Sequence, residues 1–157
     1  MDCHYEQFQT KDYRAIEKIL SILSKIFLFI AIILLILFNF IGVIIFGLLY
    51  FGVIILSKKI IVEYEYILTG DEFSIYKIMN KSKRQELGSF TLKQISTVKT
   101  LDKISNNTKV IKAYLDESEN KAMVYVVKTS KGVTGFHLKL DKKLMELIKK
   151  SNPLIFY

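Results

Sequence analysis

Residues 19–56 read ILSILSKIFLFIAIILLILFNFIGVIIFGLLYFGVIIL, and the reading of this stretch decides what the rest of the chain can be. Only Ser21, Ser24, Lys25 and Asn39 interrupt its apolar side chains, and Ile26 to Leu56 carries no charge at all. A membrane span takes about 20 apolar residues through a hydrocarbon core of about 30 Å. These 38 residues would make roughly 57 Å of helix, too long for one span and close to two. The natural break is Phe38-Asn39-Phe40-Ile41-Gly42. Asn tolerates turn conformations, and Gly supplies positive φ at no steric cost. Two transmembrane helices are therefore predicted over 19–38 and 41–57, as a tight hairpin.

A cleaved signal peptide does not fit, because the stretch starts late, runs long and lacks a small-residue cleavage site. No carboxylate, Arg or His lies between Ile26 and Leu56 to mark an ion or proton path, so a channel or transporter is not expected of this chain alone. Gly42, Gly47 and Gly52 recur every five residues and do not build a small-xxx-small dimerisation face.

Upstream, Ile16, Ile19, Leu20, Leu23, Ile26 and Phe27 follow the period of one helix face, with Asp12 placed to cap its start. Residues 1–18 thus read as an N-terminal cytoplasmic segment leading into the first helix, with His4 near a fraying end. Lys11, Arg14, Lys18 and Lys25 precede the first span, Lys58 and Lys59 follow the second, and the turn is uncharged. Cytoplasmic flanks carry the Lys/Arg excess. The expectation is a two-pass protein of the cell membrane with both termini cytoplasmic.

From residue 58 to 157 the period changes to alternation. Ile60-Ile61-Val62-Glu63-Tyr64-Glu65-Tyr66-Ile67-Leu68 is a strand, Thr69-Gly70-Asp71 a turn, and Phe73–Met79 a second strand. A further strand is predicted over 84–90, then a short helical turn from Thr91, then strands over 96–101, 109–115, 122–129 and 133–140. Asp141 caps a closing helix over about 141–151, in which Leu144, Leu147 and Ile148 share a face and Asn152-Pro153 ends the pattern. The whole is an α+β membrane protein: a hairpin, then a bent sheet or partial barrel of about seven strands closed by a helix. Its net charge of +8 belongs entirely to the part after the hairpin, where 19 Lys/Arg face 11 Asp/Glu.

The run Val62-Glu63-Tyr64-Glu65-Tyr66-Ile67-Leu68-Thr69-Gly70-Asp71-Glu72-Phe73-Ser74-Ile75, with Phe90 to Ile95 after a basic hairpin, resembles the opening of bacterial pleckstrin-homology-like (PH-like) domains that follow paired transmembrane helices. The ending Leu144–Pro153 is similar to the tail of small membrane proteins of low-GC Gram-positive bacteria. The resemblance implies a PH-like domain, and with it an interaction module rather than an enzyme. In phosphoinositide-binding members of the wider fold, basic residues surround the first hairpin loop. Here that loop, Gly70-Asp71-Glu72, is acidic, and the basic residues Lys77, Lys81, Lys83 and Arg84 lie around the second. These four are the candidate contacts for anionic lipid or a partner, at about 1 kcal/mol per basic residue near the surface.

Catalytic chemistry is not indicated. His4 and His137 stand apart in sequence, His137 inside an alternating strand, where a structural or solvent-facing role is expected. No nucleophile elbow, HExxH or P-loop spacing occurs. Asp116, Glu117 and Glu119 read as an acidic hairpin loop rather than a cation site, and Glu63 and Glu65 as a water-facing pair. Cys3 is the sole cysteine, which excludes an internal disulfide framework and a thiolate metal cluster. Asn80-Lys81-Ser82 and Asn106-Asn107-Thr108 match the glycosylation pattern but are placed on the cytoplasmic side. The aromatics Tyr64, Tyr66, Phe73 and Tyr76 form no RNA-binding signature, so a nucleic-acid partner is not expected. No catalytic, cofactor-binding or metal-ligating residue is assigned. The expected partners are the lipid bilayer and either another membrane protein or further copies of this chain. The alternative reading is an accessory subunit that packs into a larger membrane complex through its hairpin.

Overall fold

The computed structural model describes residues 4–105, 108–115, 122–129 and 132–153. They form two compact units. One comprises Met1–Thr10, Glu63–Ile78 and Arg84–Tyr157; the other comprises Lys11–Val62 and Met79–Lys83.

The helical unit is built from α1 (Arg14–Ile36) and α2 (Phe40–Ile60), both long and apolar enough to cross a membrane. The side chains α1 turns away from its surroundings include Glu17, Leu20, Ser24, Phe27, Ala31 and Leu34, alternately three and four apart. On α2 the matching set is Val43, Phe46, Tyr50, Val53 and Ser57. That spacing is the seam of two helices packed side by side, with the Phe27 and Phe46 rings 6.1 Å apart within it. At the start of α1, Asp12 accepts from the Arg14 backbone N–H at 3.0 Å and pairs with its guanidinium at 2.9 Å.

The turn between the helices falls where Asn39 was expected to place it, but Gly42 has a different role from the one its type suggested. The left-handed residue is Phe38, at φ 55°. Gly42 lies in the first turn of α2, where its N–H donates to the Asn39 side chain at 3.0 Å. A Cβ there would sit 2.8 Å from Leu34 Cδ1, so the glycine leaves room for the end of the Leu34 side chain.

Among the described residues the β unit contains eight strands, one more than the approximate seven expected. They are β1 (His4–Gln9), β2 (Val62–Thr69), β3 (Glu72–Met79), β4 (Lys83–Thr91), β5 (Ile95–Lys99), β6 (Lys109–Lys112), β7 (Met123–Thr129) and β8 (Gly132–Leu138), closed by α3 (Lys142–Ser151). One sheet has the order β1-β2-β3-β4, the other β5-β7-β8-β6, with β6 parallel to β8. The additional strand is the N-terminal segment. Residues 4–9 are not a lead-in to the helix; they pair antiparallel with β2, from His4 opposite Thr69 to Gln9 opposite Tyr64. His4 is held there by a 3.1 Å hydrogen bond to Thr69 Oγ1. No apolar face announces this strand, because its hold on the unit comes from backbone pairing and amide side chains.

Burial of aromatic rings joins the two sheets. Tyr66, Phe73, Phe90 and Phe136 follow one another with ring centroids 6.2, 5.5 and 5.3 Å apart, the last step crossing from β4 to β8. Gly88 in β4 makes that crossing possible, since a Cβ there would lie 2.5 Å from Phe136 Cζ. The Tyr66 hydroxyl donates to the Ala113 carbonyl. With no water to stabilise a phenolate, burial raises the Tyr66 pKa far above the ordinary value. Helix α3 begins as its sequence indicates: the Asp141 carboxylate accepts from the Leu144 N–H at 2.7 Å. Leu144 and Ile148 are buried beneath it, and Asn152 donates to the carbonyls of Leu92 and Ile95 at 3.3 and 3.4 Å.

Candidate functional site

The four basic residues singled out in the sequence lie along the β3–β4 hairpin, but they are not equivalent. Lys77 is half-buried on β3, while Lys81, Lys83 and Arg84 are exposed. Asn80 and Lys81 both adopt left-handed conformations, at φ 50° and 52°, and the Ser82 N–H donates back to the Met79 carbonyl at 3.2 Å. This is the two-residue turn whose twist matches antiparallel strands. A lysine in that conformation costs about 1–2 kcal/mol relative to glycine.

Two of the four cations are committed to neighbours. Lys81 Nζ lies 2.7 Å from Glu17 Oε1 in the helical unit, where the Asn80 N–H also donates to the Ile61 carbonyl at 2.8 Å. Arg84 Nη2 lies 2.6 Å from Glu65 Oε2, and its guanidinium stacks 3.8 Å above the Tyr76 ring centroid. Glu65 is only 7 % exposed, which corrects the expectation that it faces water with Glu63. A buried carboxylate needs a cation. Arg84 is that cation, so its first role is structural. Among the described residues, Lys77 and Lys83 form no ion pair.

The first hairpin loop is likewise built into the fold. Gly70 takes φ 59°, the Asp71 carbonyl accepts from the Leu92 N–H at 2.8 Å, and Glu72 accepts from the Ser89 hydroxyl at 2.8 Å. An anion would meet acidic side chains there.

Sequence reasoning missed a polar clasp around β1. Tyr5, Gln7 and Gln9 share one face of the strand, and all three reach the segment before α3. The Tyr5 hydroxyl donates to Asp141 Oδ2 at 2.6 Å. Gln7 donates to the Lys139 carbonyl at 3.0 Å and accepts from the Asp141 N–H at 2.9 Å. Gln9 donates to the same carbonyl at 2.5 Å. The period of two over residues 4–9 was a visible signal, but an isolated polar alternation has no core to point to.

His137 is buried, with its ring edge-on to Tyr114 at 4.8 Å between centroids. Loss of water, and to a lesser extent the charge of Lys112, hold its pKa below the usual value. The folded state therefore favours neutral imidazole, and the unfolded chain takes up the proton first. Stability from this group is complete above the unfolded value of about 6.5 and is lost progressively as pH falls from there through the lower folded value. The denaturation midpoint of the full chain in detergent should fall between pH about 7.5 and about 5, and His137→Gln should fall less. Identical pH profiles would contradict the assignment. Asp116, Glu117, Glu119, Asn106 and Asn107 lie outside the described residues.

Among the described residues, an eight-stranded, two-sheet unit with a capping C-terminal helix, interrupted in sequence by an apolar helix pair, makes this an α+β protein. The chain matches the family described as "Bacterial PH-like domain (DUF6106)" over residues 1–157, and it belongs to that family. Comparison with curated proteins and with solved structures gives no match.

Proposed function

We propose that this protein is a non-catalytic, membrane-anchored interaction module, whose PH-like unit is held at the cytoplasmic face and meets anionic headgroups or an acidic partner through Lys77 and Lys83. The observation that carries the reading is the pairing of β1 with β2. One strand precedes the apolar hairpin and the other follows it, so both ends of the hairpin return to a single sheet. A hairpin tethered in this way enters and leaves a bilayer on the same side. The Lys/Arg of both flanks makes that side the cytoplasm. The excess positive charge of the region after the hairpin then lies on the same side as the anionic leaflet, where each lysine near the surface adds about 1 kcal/mol of attraction.

Two measurements test this. In a Cys3→Ser background, cysteine at the exposed position Lys93 should react with a membrane-impermeant maleimide only after cells are permeabilised; labelling of intact cells would overturn the topology. In nanodiscs, amides of residues 77–84 should exchange more slowly with anionic than with zwitterionic lipid. That protection should vanish at high salt and in Lys77→Glu/Lys83→Glu. Equal exchange in both lipids would exclude headgroup contact and leave a protein partner, to be sought by co-purification in detergent.

A further inference from the structure

The seam between α1 and α2 is filled along most of its length by large or closely packed side chains, as at Phe27 and Phe46. Toward the charged ends of the helices the seam includes the smaller Ser24, Val53 and Ser57, and a cavity of about 290 Å³ opens within the helical unit. Its polar wall is Glu17, Ser21, Ser24, Ser57 and Asn80, and Leu20 and Val53 supply apolar surface beside it. Ser24 donates to the Ser21 carbonyl at 2.9 Å, and Ser57 lies 3.5 Å from Asn80 Oδ1. The single carboxylate in the wall is already met by Lys81.

We infer that this cavity binds the hydroxylated headgroup of a glycerolipid. The inference rests on the membrane-anchored reading above and adds a ligand class and a site to it. Three features argue for this occupant. The first is depth: Lys25 and Lys58 directly follow Ser24 and Ser57 in sequence, so the polar wall lies where each apolar stretch gives way to charge. In a bilayer that level is the headgroup region. The second is size. Small-molecule sites run from about 300 to 1,000 Å³. This volume suits a headgroup, with the acyl chains left to run along the apolar helix surface. The third is chemistry. Serine hydroxyls and an asparagine amide both donate and accept, matching a ligand that does the same. A glycerol or sugar headgroup does so; a phosphate dianion only accepts and has no donor to offer the oxygens of Glu17 and Asn80 in the wall. The phosphate of such a lipid is instead served by Lys25 and Lys58, which do not line the cavity.

The test uses the full chain reconstituted in nanodiscs containing phosphatidylglycerol, phosphatidic acid and phosphatidylcholine in equal amounts. After transfer to mild detergent, retained lipid is counted by native mass spectrometry. Phosphatidylglycerol should stay bound at one per chain, about tenfold above phosphatidic acid, which carries the phosphate without the terminal glycerol. Ser24→Ala/Ser57→Ala should lower that retention about tenfold. Ser21→Leu, which fills the space and leaves the Ser57–Asn80 contact in place, should do the same. Lys93→Ala, at an exposed position outside the cavity, should leave retention unchanged. Equal retention of the two anionic lipids, lost in Lys77→Glu/Lys83→Glu, would overturn the cavity site while supporting surface attraction. Retention of neither lipid would leave only water in the cavity and would also overturn it, without touching the topology tested by cysteine labelling.

Discussion

Deleting residues 1–10 is expected to unfold the β unit rather than merely shorten it. Removal of β1 exposes the edge of β2 along Tyr64–Thr69. It also leaves the Asp141 N–H without the Gln7 acceptor and the Lys139 carbonyl without two amide donors. Leaving the partly buried Asp141 N–H unpaired costs about 1–3 kcal/mol, and the amide bonds to the Lys139 carbonyl and the pairing with β2 are lost with it. Together these losses are a large part of the stability of an ordinary domain. Asp141 also loses Tyr5 while still capping α3, so the helix that closes the unit should loosen with it. The measurement is hydrogen exchange of the full-length and shortened chains in the same detergent. Amides of β2, β3 and the first turn of α3 should lose protection together. Unchanged exchange in β3 and α3 would mean that β1 is an appendage. Gln7→Ala/Gln9→Ala, which keeps the strand and removes the clasp, should cost about half as much. A corollary is that a fragment starting near residue 60 lacks one strand of its sheet, so binding work belongs on the full chain.

The second large effect is expected at Arg84, a residue whose sequence context suggests a surface contact. Arg84→Met leaves the Glu65 carboxylate buried without its cation. Breaking a fully buried pair in this way costs about 3–5 kcal/mol. Because the Arg84 side chain is 47 % exposed, water screens part of the loss, and about 2–3 kcal/mol is expected. Glu65→Leu/Arg84→Met should recover most of that, since an apolar pair has no desolvated charge to satisfy. Arg84→Lys should recover only part, because an ammonium cannot reproduce the flat stacking on Tyr76. Denaturation midpoints of the four chains in detergent decide the matter. If Arg84→Met is neutral, or if the double variant is no better than the single one, the pair does not carry this load. The result also governs how charge-reversal experiments are read. A binding defect in an Arg84 variant would report a damaged fold, and Lys81 variants would break the contact with Glu17. Lys77 and Lys83 are the cleaner probes.

Sequence periodicity located almost every element after the hairpin because each has a reason to alternate. Phe73, Ile75 and the Phe90–Ile95 segment had to face a core, and Asp141 had to stand before the first apolar turn of α3. Lys77, Lys81, Lys83 and Arg84 could be listed as cations from the sequence, yet nothing in one dimension says which of them is already neutralised. Glu17 is 64 positions from Lys81, and Glu65 is 19 from Arg84. Local pattern has no access to such pairs.

Composition and period alone thus settled that this chain has an apolar helix pair of bilayer length, a basic strand-rich region after it and a capped closing helix. These are consequences of hydrophobicity and of backbone geometry within a few residues. Tertiary structure alone decided that the first strand of the sheet is drawn from before the hairpin, that Phe38 and not Gly42 takes the left-handed turn, and that two of four surface cations are bound to carboxylates. Each of those depends on groups far apart in sequence meeting in space, where hydrogen bonding and burial, rather than propensity, choose the outcome.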